Sequence, residues 1–125
     1  MDQPKDPLTH EIIGAAIDVH RELGPGMLES VYHECLCYEL VQRNLGFRRQ
    51  PPMPVVYKGV QLELGYRPDL IVDESVVVEL KCVEKLITVH DAQLLTYLRL
   101  SGIRKGLLIN FQSHPLVNGI RRLVL

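Results

Sequence analysis

Two acidic residues and one lysine stand out in the second half of the sequence. Glu79 and Lys81 end the apolar run Val76–Lys81, and Asp69 opens another apolar run ten residues before Glu79. Side chains two apart on a strand share a face, so Glu79 and Lys81 would lie on the face opposite Leu80. Burying an unpaired charge on a central strand costs several kcal/mol. The charges therefore indicate either an ion-pair network or a functional site.

The segment between the two acids predicts a tight hairpin. A three-residue loop at Asp73–Ser75 would pair Val72 with Val76. Asp69 would then lie directly opposite Glu79, with about 5 Å between their Cβ atoms. A two-residue loop would instead turn Asp69 to the other face of the sheet.

Two carboxylates at this distance, with a lysine one step along the strand, suit a hard divalent cation such as Mg²⁺ or Mn²⁺. Such a cation would polarise a phosphodiester and lower the pKa of a bound water. Lys81 would orient that water or stabilise the charge that develops on the phosphate. The same pattern fits a structural Asp/Lys/Glu ion-pair network, and short motifs of this kind do not separate the two hypotheses.

Helices are predicted in the first third of the chain. Asp6–Pro7 is typical of a helix start, and apolar residues at helical spacing continue to Leu23. Gly24–Gly26 ends that helix, and a second helical pattern covers residues 28–41 before Asn44–Gly46.

From Pro51 onward the pattern changes to short β-branched runs with one later helix. The predicted strands cover residues 55–57, 60–66, 69–72, 76–81 and 106–111, and the predicted helix runs from Val89 to Leu100. The tail, Gly119–Leu125, fits a last strand or a short helix. This order predicts one α/β (α+β) domain over residues 1–125, with a mixed central sheet of four to five strands flanked by helices.

Composition limits the class of protein. The chain has 125 residues, enough for one domain, and 46% of them are hydrophobic without a run long enough to cross a bilayer. The start, Met1–Pro7, lacks signal-peptide character, so we expect a soluble cytoplasmic protein without membrane partners. The net charge of -1 is less basic than is usual for nucleic-acid binding. Local basic pairs occur at residues 48–49, 104–105 and 121–122, and solvated surface charge is the simplest interpretation of each.

The residues at the candidate site resemble a known signature. Pro68–Asp69, nine residues, then Glu79–Lys81 resembles the PD-(D/E)XK motif, and the order strand, strand, helix, strand is similar to that superfamily's core. The resemblance implies a restriction-endonuclease-like fold and a metal-dependent nuclease. The stretch Gly26–Tyr32 is similar to the one that names the GxxExxY family, small bacterial and archaeal proteins, and this likeness runs from about Ile12 to Leu125.

The resemblance also implies roles for three further residues. Gln93 and Tyr97 resemble the glutamine-x-x-x-tyrosine element of the superfamily's recombination exonucleases, and their spacing puts both on one helical face. Either could position phosphate or a metal-bound water, or could simply face a neighbouring strand. Glu29 matches the acid from an early helix that completes the metal shell in related nucleases. As a first-turn acid, Glu29 would equally interact favourably with the helix dipole.

Three functions follow from these observations. The leading hypothesis is a Mg²⁺- or Mn²⁺-dependent nuclease of DNA or RNA. Its metal ligands would be Glu29, Asp69 and Glu79, and its catalytic residues Asp69, Glu79, Lys81, Gln93 and Tyr97. The alternatives are a catalytically silent nuclease-fold module that binds nucleic acid, and a protein-interaction subunit. A homodimer also fits, because one small domain presents little surface for gripping a duplex.

Overall fold

The computed structural model describes residues 6–125, so most of the charged start, Met1–Pro7, lies outside the described residues. The helices are α1 (Pro7–Leu23), α2 (Glu29–Gln42) and α3 (Thr88–Ser101), and a short 3₁₀ helix covers Leu116–Gly119. The strands are β1 (Phe47–Arg49), β2 (Val55–Tyr57), β3 (Val60–Leu62), β4 (Leu70–Val72), β5 (Val76–Lys81), β6 (Lys105–Asn110) and β7 (Ile120–Val124).

Five strands form a mixed central sheet in the order β1-β4-β5-β6-β7. The pair β5–β6 is parallel and is connected through α3, whereas the other neighbours are antiparallel. The strands β2 and β3 form a separate two-stranded hairpin. Within residues 6–125, three α-helices with a five-stranded mixed sheet confirm the predicted α+β class and are consistent with a restriction-endonuclease-like core.

Hydrophobic residues cover both faces of the sheet. Val76, Val78 and Leu80 of β5 pack in one cluster with α1 and α2. Val77 packs on the opposite side, in a cluster that includes Leu94 of α3. Because β5 is buried on both faces, its sequence is a nearly continuous apolar run, as expected of a central strand. Only the end of β5 carries charge.

The register of the β4–β5 hairpin confirms the predicted three-residue loop. Val72 pairs with Val76, and Leu70 pairs with Val78. Asp73 and Glu74 both adopt positive φ, at 52° and 51°, and so reverse the chain. One residue beyond the ladder, this register sets Asp69 opposite Glu79.

Several elements differ from the sequence predictions. The strand β1 was not predicted, and β3 ends at Leu62 rather than near Tyr66. The tail, Gly119–Leu125, forms the strand β7 rather than the alternative short helix, and the 3₁₀ helix at Leu116–Gly119 comes before it. No helix among the described residues is long and apolar enough to span a bilayer.

The basic pairs of the sequence take part in surface ion pairs. Arg48 donates two hydrogen bonds to the Glu74 carboxylate, at 2.7 and 2.9 Å. The other ion pairs of these segments are Arg49–Glu34, Lys105–Asp6 and Arg121–Asp91. Exposed ion pairs contribute about 0–1 kcal/mol each. These pairs mainly neutralise positive charge that would otherwise attract the phosphates of nucleic acid.

Candidate metal and phosphate site

The two acids of the predicted site face each other at the open end of the β4–β5 hairpin. The Glu79 side chain accepts a hydrogen bond from the Asp69 backbone N–H at 2.7 Å through Oε1. Asp69 Oδ2 in turn accepts from the Leu80 backbone N–H at 2.7 Å. Each carboxylate therefore binds the opposite strand with one oxygen and has a second oxygen for another partner.

Lys81 lies beside this acid pair, as its spacing from Glu79 predicts. Its ammonium is 3.8 Å from Glu79 Oε2. It donates a shorter hydrogen bond, of 2.9 Å, to Oε1 of Gln93 on α3. The lysine is thus held at the site mainly by the Gln93 amide, with the carboxylate as a more distant partner.

Gln93 and Tyr97 lie together on the face of α3 that packs against β5. Gln93 Nε2 is 3.5 Å from the Tyr97 hydroxyl, at the limit of a hydrogen bond. The Tyr97 side chain is nearly buried, and its ring meets the Tyr66 ring edge-on at 6.2 Å. Burial raises the pKa of the Tyr97 phenol, and the nearby Glu79 carboxylate raises it further. Tyr97 therefore serves as a neutral hydrogen-bonding group.

Glu79 is the most perturbed acid of the site. Its side chain is 5% exposed, and burial is the main cause that raises its pKa, to about 8. The charge of Asp69 and a side-chain hydrogen bond with it also raise this pKa, against the Asp69 N–H and Lys81, which lower it. The buried surroundings of the acid pair therefore do not fully stabilise two ionised carboxylates.

Glu29 begins α2 and faces the same site. Its pKa is raised by burial first and by the Asp69 carboxylate second, while Lys81 and His33 lower it. Glu29, His33 and Asp69 line one pocket of about 290 Å³. The structure thus brings together all six residues that the sequence predicts for the site.

His33 also lies at the site, although the sequence did not predict it as a site residue. Its Nε2 lies 3.2 Å from the backbone carbonyl oxygen of Asp69. The available signal was its position four residues after Glu29, one helical turn along the same face. That α2 packs beside the start of β4 was not evident from the chain alone.

The stretch that resembles the GxxExxY pattern has a structural explanation. Gly26 adopts a φ of 105°, which favours glycine, in the loop before α2. The buried Tyr32 ring stacks on Phe111 with centroids 4.5 Å apart. The Tyr32 hydroxyl also donates to the Gly24 carbonyl and accepts from the Met27 N–H. It thereby holds the loop that leads into Glu29.

A model described as PD-(D/E)XK nuclease superfamily matches residues 6–123. The chain belongs to the PD-(D/E)XK nuclease superfamily. Neither the curated proteins nor the solved structures gave a match. Nucleases of this superfamily generally use divalent metal ions, and membership implies a nucleic-acid substrate.

Because nucleases of this superfamily generally use divalent metal, the donor atoms of the site decide whether it suits such an ion. Within residues 6–125, no group of three His, Cys, Asp or Glu side chains forms a set that could hold a metal ion. Asp69 and Glu79 nevertheless present two facing carboxylates, and burial together with the Asp69 charge raises the pKa of Glu79. Mg²⁺ needs only one or two protein carboxylates, since it retains several waters. The donor set of this PD-(D/E)XK chain therefore fits a hard cation.

Proposed function

We propose that this chain is a Mg²⁺- or Mn²⁺-dependent nuclease of the GxxExxY type that hydrolyses phosphodiester bonds in DNA or RNA. The observation that supports this most is the buried Glu79 carboxyl facing Asp69, with its pKa raised to about 8. A purely structural ion-pair network would be expected to neutralise its own charges. Here the nearest ammonium, that of Lys81, is 3.8 Å away and is directed to Gln93.

Each residue of the site would have its own role. Asp69 and Glu79 would hold the cation, with Glu29 as a third acid on the pocket wall. When bound, a divalent cation supplies Lewis-acid polarisation of the phosphate and a lowered pKa for a coordinated water. Lys81 would stabilise the negative charge that develops on the phosphate oxygens. Gln93 and Tyr97 would position the Lys81 ammonium through the hydrogen bonds described above.

The direct test is a cleavage assay on DNA and RNA with Mg²⁺, with Mn²⁺ and with EDTA. We expect metal-dependent cleavage whose rate falls about 100- to 1000-fold in Lys81→Ala, since one charge-stabilising group is lost. Lys105→Ala is a matched control, because Lys105 lies on the neighbouring strand at the opposite end of the sheet. Equal rates in wild type and Lys81→Ala would contradict the proposal.

A second candidate is a nuclease-fold module that binds nucleic acid without cleaving it. It is favoured by the absence of a complete three-residue ligand set in residues 6–125. Calorimetric titration with Mn²⁺ separates the two. The nuclease requires Mn²⁺ binding that disappears in Asp69→Asn, whereas the silent module predicts nucleic-acid binding without a response to metal.

A further inference from the structure

The hairpin β2–β3 extends from the domain without a partner strand. Its turn, Lys58–Gly59, has positive φ at both residues, 50° and 81°. Tyr57 pairs with Val60 across the hairpin, so their side chains share one face near the tip. Both are more than half exposed, at 60% and 56%. Exposed aromatic and β-branched side chains at the end of a projecting hairpin indicate an interaction surface.

The base of this hairpin touches the candidate site. The Tyr66 carbonyl accepts a hydrogen bond from the Met53 N–H at 2.8 Å, which closes the base. The Tyr66 ring packs edge-on against Tyr97, whose hydroxyl neighbours Gln93. An extended polymer bound along the hairpin would therefore lead toward Lys81, which Gln93 binds.

The charges of the hairpin favour an anionic partner. The Lys58 ammonium lies 5.4 Å from the centroid of the Tyr57 ring. Among residues 6–125, most arginines and lysines bind carboxylates, but neither Lys58 nor Arg67 forms an ion pair. The Arg67 guanidinium donates to the Gln50 carbonyl at 3.3 Å. The one acid in residues 55–67, Glu63, accepts from the Gln61 amide, so the segment carries a net charge of +1 from two cations and one acid.

We propose that the β2–β3 hairpin binds single-stranded nucleic acid and guides it to the site at Asp69 and Lys81. This inference rests on the proposed function and names its substrate class. The exposed Tyr57 ring offers a surface on which one unpaired base stacks, and every base can do so whatever its identity. Lys58 contacts a phosphate beside that base, and Arg67, next to Tyr66 at the base of the hairpin, contacts a phosphate closer to the site. In a duplex the bases stack on one another, so the Tyr57 ring gains no base contact there.

The test is a fluorescence-anisotropy titration of a labelled 12-nucleotide strand, as DNA and as RNA, and of the same sequence as a duplex. It is done in EDTA, so that neither metal binding nor cleavage enters the result. We expect tighter binding to the single strand, and a loss of about 5- to 150-fold in Tyr57→Ala. Tyr57→Phe retains the ring and should retain the affinity. Lys58→Ala should reduce the slope of log affinity against log salt by about 0.7.

Tyr38→Ala is the matched control, because Tyr38 is as exposed as Tyr57, at 62%, but lies on α2. Unchanged affinity in Tyr57→Ala, or an equal loss in Tyr38→Ala, would overturn the hairpin proposal. So would dissociation of a dimer by Tyr57→Ala in sedimentation with unchanged strand binding, because the hairpin would then contact a second copy. Hairpin-dependent binding without any metal-dependent cleavage would overturn the proposed nuclease function and leave the hairpin proposal standing.

Discussion

The Glu79 carboxyl shows how one buried acid links stability to the proposed chemistry. It lies opposite Asp69, accepts a backbone hydrogen bond, and has a pKa raised to about 8 by burial and by the second acid. Holding it ionised without a cation costs free energy that the fold must supply. The same cost would be recovered when a divalent ion binds, because the ion replaces the proton.

This predicts a pH dependence for the metal-free protein. The folded pKa of Glu79 lies above the ordinary glutamate value of 4.5, so the folded state retains a proton that the unfolded state has lost. The contribution of Glu79 to the free energy of unfolding is therefore fully present below about pH 4.5. It is lost as the pH rises toward 8, by up to about 1.4 kcal/mol per pH unit. Glu79→Gln retains an acceptor for the Asp69 N–H and should remove this slope.

The measurement is urea denaturation in EDTA at several pH values between 5 and 8.5. Glu63→Gln is the control, because Glu63 is an exposed acid outside the site. The assignment would be wrong if Glu79→Gln and wild type lost stability in parallel over this range.

A second prediction concerns the Tyr32 hydroxyl. Tyr32→Phe keeps the ring stacked on Phe111 but removes the bonds to Gly24 and Met27. We expect a loss of about 1–2 kcal/mol in the free energy of unfolding, measured by urea denaturation. Tyr38→Phe, at an exposed position of the same helix, should change stability little. Equal effects of the two substitutions would contradict this role.

The strand β5 shows which elements a sequence determines. Its apolar run Val76–Val78 and its charged end predicted both its limits and its central place, because burial on two faces requires that composition. The three-residue loop then sets Asp69 opposite Glu79. This pairing depends only on the local geometry of the hairpin. By contrast, β1 has three residues, Phe47–Arg49, and is a strand only because β4 pairs with it. The contact of His33 with Asp69 likewise depends on how α2 packs, and no local pattern encodes it.

The junction between the 3₁₀ helix and β6 gives a test of packing between elements. A Cβ on Gly119 would clash with Ser113 Oγ and would lie 2.8 Å from the Asn110 carbonyl oxygen. Gly119→Ala should therefore destabilise the fold by about 1–3 kcal/mol, measured by urea denaturation. Gly46→Ala, with no atom within 4 Å of its Cβ, is the control. An unchanged stability in Gly119→Ala would show that this junction is loosely packed.

The whole molecule combines a net charge close to zero with an acidic pair at the candidate site. The net charge is -1, and arginines of the basic pairs already bind carboxylates, as Arg48 binds Glu74. Long-range attraction of nucleic acid is therefore weak, and binding must depend on local contacts. A cation at the site would add positive charge where the substrate phosphate has to lie.

Metal should accordingly stabilise the whole fold. At a free Mn²⁺ concentration 100 times its dissociation constant, we expect a gain of about 2.7 kcal/mol in the free energy of unfolding. Thermal denaturation with and without Mn²⁺ measures this gain. Asp69→Asn should abolish it, and Asp73→Asn, in the exposed hairpin turn, should not. A stabilisation that persists in Asp69→Asn would locate the metal elsewhere.

The most direct measurement is a crystal structure of the protein soaked in Mn²⁺, examined by anomalous scattering. We predict an anomalous peak between the Asp69 and Glu79 carboxylates, with the Lys81 ammonium on the same side of the sheet. Full-occupancy Mn²⁺ at another position, or none at this acid pair at millimolar metal, would contradict the proposed metal site.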